Sequence, residues 1–376
     1  MTYLLPGERL DGTVAERAHL RRLLVSFRTD PPPMRLPDVS GCPLLELLDS
    51  GTIDSQVFWT GYGIMACRYA QLGIRALLPL ERVWVGTSSA AVPGTPCAYG
   101  GFHHPGQGYR HLQMDAAITV YGDLTRQLTA SPRAVAVDLV RSYAHDCLHY
   151  GTFRRYQLAP GGEIARVQYG INLRRPDGRT YSAPDPAGTR VTRNLGILME
   201  GATDAEATGI ARQTADSGGI SDTDLPEDML ASAFADATGT LKADAVRAAL
   251  ASGHPYLRAV GSFSSAVTMR YQVLLRDLAD DPAGLHRRFV TGSCTRPTVS
   301  SPPSVSYARS RKLRFRSAGK AGICSAAAYR RAGLGEVRLA HDLPEHGVHR
   351  GQVRSAGPEP VHHGRPRLHA VEPAEG

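Results

Sequence analysis

The stretch Ser131–Gly151, "SPRAVAVDLVRSYAHDCLHYG", constrains the fold of this chain more than any other. Ser131 followed by Pro132 is a favoured helix opening, a hydroxyl residue at the N-cap and proline at the first helical position. Val135, Leu139, Val140, Tyr143 and Leu148 recur at spacings that put them on one buried stripe, and Gly151 ends the pattern. His145 and His149 stand four residues apart in the last two turns, so both imidazoles leave the helix on one face. The spacing predicts an interior helix that carries two histidines near its C-terminal end.

The rest of the chain is read around that helix. Residues 1–40 are polar and then proline-rich ("DPPPMRLPD"), which predicts a short helix and an extended linker. Residues 41–125 form the N-terminal part of the body. Helical patterning appears in "CPLLELLDSG" and "GIMACRYAQLGIRALL", and "RVWVG" reads as a strand. A loose Gly/Ser/Pro-rich stretch covers Thr87 to Gly108, and the apolar, β-branched Ala116–Gly122 reads as a second strand. Residues 126–290 form a helical core. In it, "EIARVQYGINL" and "RTYSAP" are strand candidates joined across "RRPDG", whose Pro, Asp and Gly suit a turn. A second long helix follows in "LGILMEGATDAEATGIARQ", then mainly helical text to residue 290. The fold class expected is α+β and mostly helical, with a small antiparallel sheet.

Residues 291–376 differ in kind. They are rich in Arg, Ser, Pro, Gly and His, show neither helical nor strand periodicity, and on composition read as a disordered tail. Such text is also what a high-GC gene yields when read in a shifted frame. The tail carries 14 Lys/Arg against 6 Asp/Glu, which equals the whole chain's net charge of +8 and leaves residues 1–290 neutral. Nucleic-acid binding is therefore a reading of the tail alone, and the tail has no folded nucleic-acid-binding motif. The six cysteines are scattered without a CxxC pair, which fits reduced thiols. No run has the apolar length of a membrane span, and the N-terminus lacks the order of a signal peptide. The expectation is a cytoplasmic protein with no membrane partner.

The chemistry sits in His145-Asp146-Cys147-Leu148-His149, one carbon short of a His-Glu-x-x-His signature. Two histidines at this spacing can each aim a ring nitrogen at one zinc ion about 2.0–2.1 Å away. The acid after the first histidine does not ligate; it lies beside the activated water and can accept its proton. A catalytic zinc also needs a third protein ligand, and the best candidate is Glu200 on the next helix. A plainer reading stays open, in which two polar histidines occupy a helix C-terminus where the helix dipole favours them.

With Met199-Glu200-Gly201-Ala202-Thr203-Asp204 downstream, the chain resembles the gluzincin branch of the zincin-like metallopeptidases. There a histidine helix is followed by a helix whose Glu, often in a string such as "NEGxTD", is the third ligand. The resemblance covers roughly Ala116 to Arg212, with Met199 where Asn is common. It implies a zincin-like metal site between two helices: His145, His149 and Glu200 on Zn2+, Asp146 as general base, and Asp204 bonded to the far nitrogen of a ligating histidine. The implied function is a zinc-dependent hydrolase of peptide or other small amide substrates. The alternative on the same scaffold is a catalytically inactive binding or structural protein. Asp146 is the departure from the motif, since its carboxylate is one methylene shorter than that of Glu.

Other residues carry weaker signals. His103, His104 and His111 in "CAYGGFHHPGQGYRH" read either as a substrate or oxyanion rim or as a solvated Gly-rich loop. Cys147 lies between the ligands in sequence but off their face, and reads as a buried inert thiol. Tyr256, Tyr271 and His254 are candidates for a transition-state donor or for core and surface roles.

Overall fold

The computed structural model describes residues 7–29, 39–74, 76–88, 103–104, 109–112, 120–126, 131–175, 180–186, 188–221, 225 and 228–291. The Pro-rich linker at 30–38, most of the Gly-rich stretch before residue 109 and the tail from residue 292 lie outside them.

The molecule is mostly helical. The helices are α1 (Val14–Thr29), α2 (Leu44–Asp49), α3 (Ser55–Gln71), α4 (Pro132–Gly151), α5 (Leu195–Gly218), α6 (Asp228–Ala237), α7 (Ala243–Ala251), α8 (Pro255–Phe263), α9 (Met269–Leu278) and α10 (Pro282–Thr291). A π-helical turn, Ser264–Thr268, joins α8 to α9. Among the described residues no helix is long and apolar enough to cross a membrane. Cys42, Cys67 and Cys147 are free thiols.

Helix α4 is the expected histidine helix, and it is buried on every side rather than along one stripe. Ser131 stands at its N-cap and Pro132 opens it, although the Ser131 side chain makes no capping bond. Helices α3 and α5 pack along α4. Both have well-made N-termini: Asp54 accepts from the Val57 N–H, and Asn194 accepts from the N–H groups of Gly196 and Ile197. The core between them holds Tyr69, Tyr143, Phe58, Met65, Leu148 and Ile210, all fully buried. The Tyr69 hydroxyl donates to the Ala144 carbonyl at 2.7 Å, fixing α3 against the turn of α4 that precedes His145.

Among the described residues eight short strands make two four-stranded sheets, not the single small antiparallel sheet expected. One has the order β1 (Glu8–Leu10), β6 (Arg154–Leu158), β7 (Ile164–Tyr169), β8 (Asn172–Leu173), with β1 parallel to β6 and the other pairings antiparallel. The other has the order β2 (Val39–Pro43), β3 (Val83–Ser88), β5 (Tyr109–His111), β4 (His103–His104), with β3 parallel to β5. Each parallel pair joins strands distant in sequence, a relation that local periodicity does not encode. The N-terminal segment thus contributes an edge strand beside β6, which leaves α4 directly.

Two strand readings are corrected. In Ala116–Gly122, Val120 and Tyr121 are helical and residues 116–119 lie outside the described residues. The apolar character of that run records burial, which Tyr121 satisfies by entering the core with its hydroxyl 2.6 Å from Asp138. "RTYSAP" reduces to one isolated bridge, Arg174 to Thr180. "EIARVQYGINL" is β7 and β8 folded back at Gly170, where φ is +55°. A Cβ there would lie 2.5 Å from Met199 Cε, so glycine serves both the turn and the approach of this sheet to α5.

Candidate metal centre

Helix α4 carries three kinds of buried polar side chain on successive turns, and each has a partner from another element. Asp138 accepts from Tyr121; burial raises its carboxyl pKa even though nearby Arg141 and the Tyr121 hydrogen bond lower it. Arg141 donates to Asp204 of α5 at 2.6 Å and lies 3.7 Å from Asp236 of α6. His145 and His149 meet Glu200 of α5. A buried ion pair recovers its desolvation cost only with good geometry and further hydrogen bonds. Asp204 has both, because Thr268 of the π-helical turn donates to its second oxygen at 3.0 Å.

The three-residue group is compact. His145 Nε2 and His149 Nε2 are 3.0 Å apart, and Glu200 Oε2 lies 3.3 Å and 3.2 Å from them. His145, His149 and Glu200 are 7%, 6% and 8% exposed. These atoms form a group that could hold a metal ion. The edge of a ligand tetrahedron drawn around zinc with bonds of 2.0–2.1 Å is about 3.3 Å, so the observed triangle fits three of its corners. Two imidazoles and one carboxylate are also the donor set of several catalytic zinc sites. The helical spacing of four supplies the two nitrogens, and the close packing of α5 on α4 supplies the oxygen.

Glu200 is held at this height by its neighbour. A Cβ on Gly201 would lie 2.4 Å from Tyr271 Cβ, so the Gly of the "EGATD" string is the place where α9 seats on α5. Met199, on the other side, abuts Gly170 of the β7–β8 turn.

The sheet then closes around His149. Tyr169, at the end of β7, places its hydroxyl 2.6 Å from His149 Nδ1 and 3.3 Å from the His149 carbonyl oxygen. The two rings stack with centroids 5.8 Å apart and planes 22° from parallel. Arg154 pairs with Tyr169 across β6 and β7, and its Nη2 donates to the His149 carbonyl at 2.7 Å. A buried cation on the last carbonyls of α4 also suits the negative end of the helix dipole.

The structure therefore brings together His145, His149 and Glu200 as expected, and it buries Asp146, the residue after His145, to 2% exposure. Arg141 and Thr268 each donate to one carboxylate oxygen of Asp204, and the far nitrogen of His149 faces Tyr169 rather than Asp204. A guanidinium inside the core needs a carboxylate beside it. His103, His104 and His111 lie on the paired backbones of β4 and β5, and their side chains fall outside the described residues. Cys147 is fully buried, and burial pushes its thiol up to about 12 despite its hydrogen bond with Tyr143. Tyr271 is engaged with His286 at 2.6 Å, Tyr256 is packed 6.3 Å from the Tyr121 ring, and His254 stands at the N-cap of α8.

Sequence reasoning missed Tyr169, Arg154 and Arg141. A basic residue three positions past the end of a histidine helix was the one available signal for Arg154. Tyr169 had none, because its contact depends on how the β6–β7 hairpin folds back. No protein-family model matches the chain, and no curated protein or solved structure matches it either.

Proposed function

We propose that the protein is a zinc-dependent hydrolase of peptide or other amide bonds, with its centre at His145, His149 and Glu200. The observation that carries the proposal is the buried triangle of two imidazole nitrogens and one carboxylate oxygen with edges of 3.0–3.3 Å. A divalent ion bound there supplies Lewis acidity, which polarises a carbonyl and lowers the pKa of water. His145 and His149 present Nε2 to it, and Glu200 brings a compensating negative charge. Asp146, adjacent to His145, accepts the proton of the attacking water and later returns it to the leaving amine. Arg154 and Tyr169 hold the His149 end of the helix in place.

A second reading has a specific observation behind it. Asp146 is shorter than the usual glutamate and is among the most deeply buried charged residues of the site. This favours a metal centre that ties α4 to α5 without turnover. The two readings separate on the purified full-length protein. Elemental analysis is expected to give one zinc per chain, lost in His149→Ala and in Glu200→Ala. Full retention of zinc in Glu200→Ala overturns the three-ligand site. Hydrolysis of a fluorogenic peptide mixture, abolished by Asp146→Asn with zinc retained, supports the hydrolase. Zinc binding with no turnover in the wild type supports the structural centre.

A further inference from the structure

We propose that Tyr169 is a positioning residue for the metal centre, and that its hydroxyl, by accepting Nδ1–H, supports the tautomer in which His149 offers Nε2 to the ion. The inference rests on the metal-site reading and goes further by assigning a role to a residue outside the histidine motif.

The argument is a count of protons. A neutral imidazole carries one N–H, and a phenol can donate once while still accepting. If Tyr169 donates to His149 Nδ1, the histidine proton sits on Nε2. It then points into the triangle toward Glu200 Oε2, 3.2 Å away, and occupies the position a metal needs. If Tyr169 instead donates to the His149 carbonyl oxygen, 3.3 Å away, its lone pair accepts Nδ1–H. Nε2 then carries a lone pair facing His145 and Glu200. Both donor positions lie within reach of one hydroxyl, so Tyr169 follows the change by rotating a single O–H bond while the histidine releases its Nε2 proton to solvent and takes one up at Nδ1. A carboxylate in the same place only accepts. It fixes one tautomer permanently and adds a charge to a site that already contains Glu200.

The surroundings of Tyr169 suit the task. Its ring is stacked on the imidazole, which fixes the direction from which the hydroxyl approaches. The Arg166 guanidinium lies 4.6 Å from the ring centroid and that of Arg154 lies 5.7 Å from it. Cations over a ring face hold it in place by attraction to the π system. Arg154 donates to the same His149 carbonyl that the hydroxyl reaches. The Thr152 N–H also reaches that carbonyl, at 3.4 Å, so the hydroxyl shares it with two other donors.

The test uses full-length wild type and Tyr169→Phe, with zinc affinity measured by chelator competition and histidine tautomers read by 15N-resolved NMR. The expected result is zinc binding weakened about 10–100-fold in Tyr169→Phe at unchanged stoichiometry, the usual effect of losing a ligand's outer hydrogen-bond partner. Zinc-loaded wild type is expected to show His149 protonated on Nδ1, with that proton protected from exchange, and the protection is lost in the variant. An affinity within about twofold of wild type overturns the role of Tyr169 and leaves the metal site standing. Absence of zinc from the wild type itself overturns both, and so identifies the metal reading as the failure. If Tyr169→Phe does not fold, the wild-type spectrum decides alone. A protected Nδ1–H with a through-space contact to the Tyr169 ring supports the proposal, and coordination through Nδ1 or a freely exchanging Nδ1–H overturns it.

Discussion

At the scale of single residues the proposed chemistry turns on Asp146. Its backbone occupies the position of the acid in a His-Glu-x-x-His helix, while its carboxylate is one methylene shorter, about 1–1.5 Å less reach from the same Cα. Misplacement by an ångström can reduce a catalytic rate about a hundredfold. Asp146→Glu restores the reach and is expected to raise peptide turnover by about tenfold or more with zinc content unchanged, measured by initial rates on a fluorogenic substrate. Asp146→Asn keeps the shape and removes the base, so turnover is expected to vanish. Equal rates for Asp, Glu and Asn would show that this side chain takes no part in proton transfer. Tyr169 and Arg154 show the opposite case, residues with no motif whose hydrogen bonds fall on His149.

At the scale of elements, the centre is a joint between α4 and α5, with α9 and the β7–β8 turn pressed on its outer faces. Gly201 is the tightest of these contacts. In Gly201→Ala either α9 or α5 must give, because the obstacle is Tyr271 Cβ rather than a flexible side-chain end. Overpacking of this kind costs about 1–3 kcal/mol. Urea unfolding is expected to show that loss, together with weaker zinc binding because Glu200 is the preceding residue. A destabilised variant with wild-type zinc affinity would place the strain on α9 alone. Much at this scale was legible in the sequence. The Ser-Pro opening of α4, the four-residue histidine spacing and the "EGATD" helix each encode a local rule, and local rules survive folding. The stripe pattern understated α4, which is buried all round. The structure gives the α4 polar residues Asp138, Arg141 and His149 partners from elsewhere in the chain.

At the scale of the whole molecule, a second polar cluster ties distant elements together. Glu206 of α5 accepts from Arg68 of α3 at 2.8 and 2.6 Å and pairs with His286 of α10 at 2.8 Å, and Tyr271 of α9 bonds the other nitrogen of His286. Burial alone would raise the Glu206 carboxyl; the hydrogen bonds from Arg68 and His286 outweigh it and hold it down at about 2. An acid with a depressed folded pKa adds stability above its unfolded value near 4.5, and that stability disappears as pH falls toward 2. Thermal melts of the wild type are therefore expected to fall across this window, and Glu206→Gln is expected to flatten that part of the profile. At neutral pH the same variant is expected to cost about 1–3 kcal/mol, the range for hydrogen bonds to a charged group. An unchanged acid limb in Glu206→Gln would locate the acid sensitivity in other carboxylates.

By itself the sequence determined the helices, the face on which the two histidines stand and Glu200 as the acid that meets them, because helix caps, helical periodicity and metal-ligand spacing are short-range. It also confined the net positive charge to the tail. Only the tertiary structure decided the parallel pairing of β1 with β6, the pairing of Asp204 with Arg141, and the choice of Tyr169 to face His149. Those depend on which buried charge most needs a partner and on how a hairpin folds back over a helix end. Both are settled by packing among segments far apart in the chain, where no local pattern reaches.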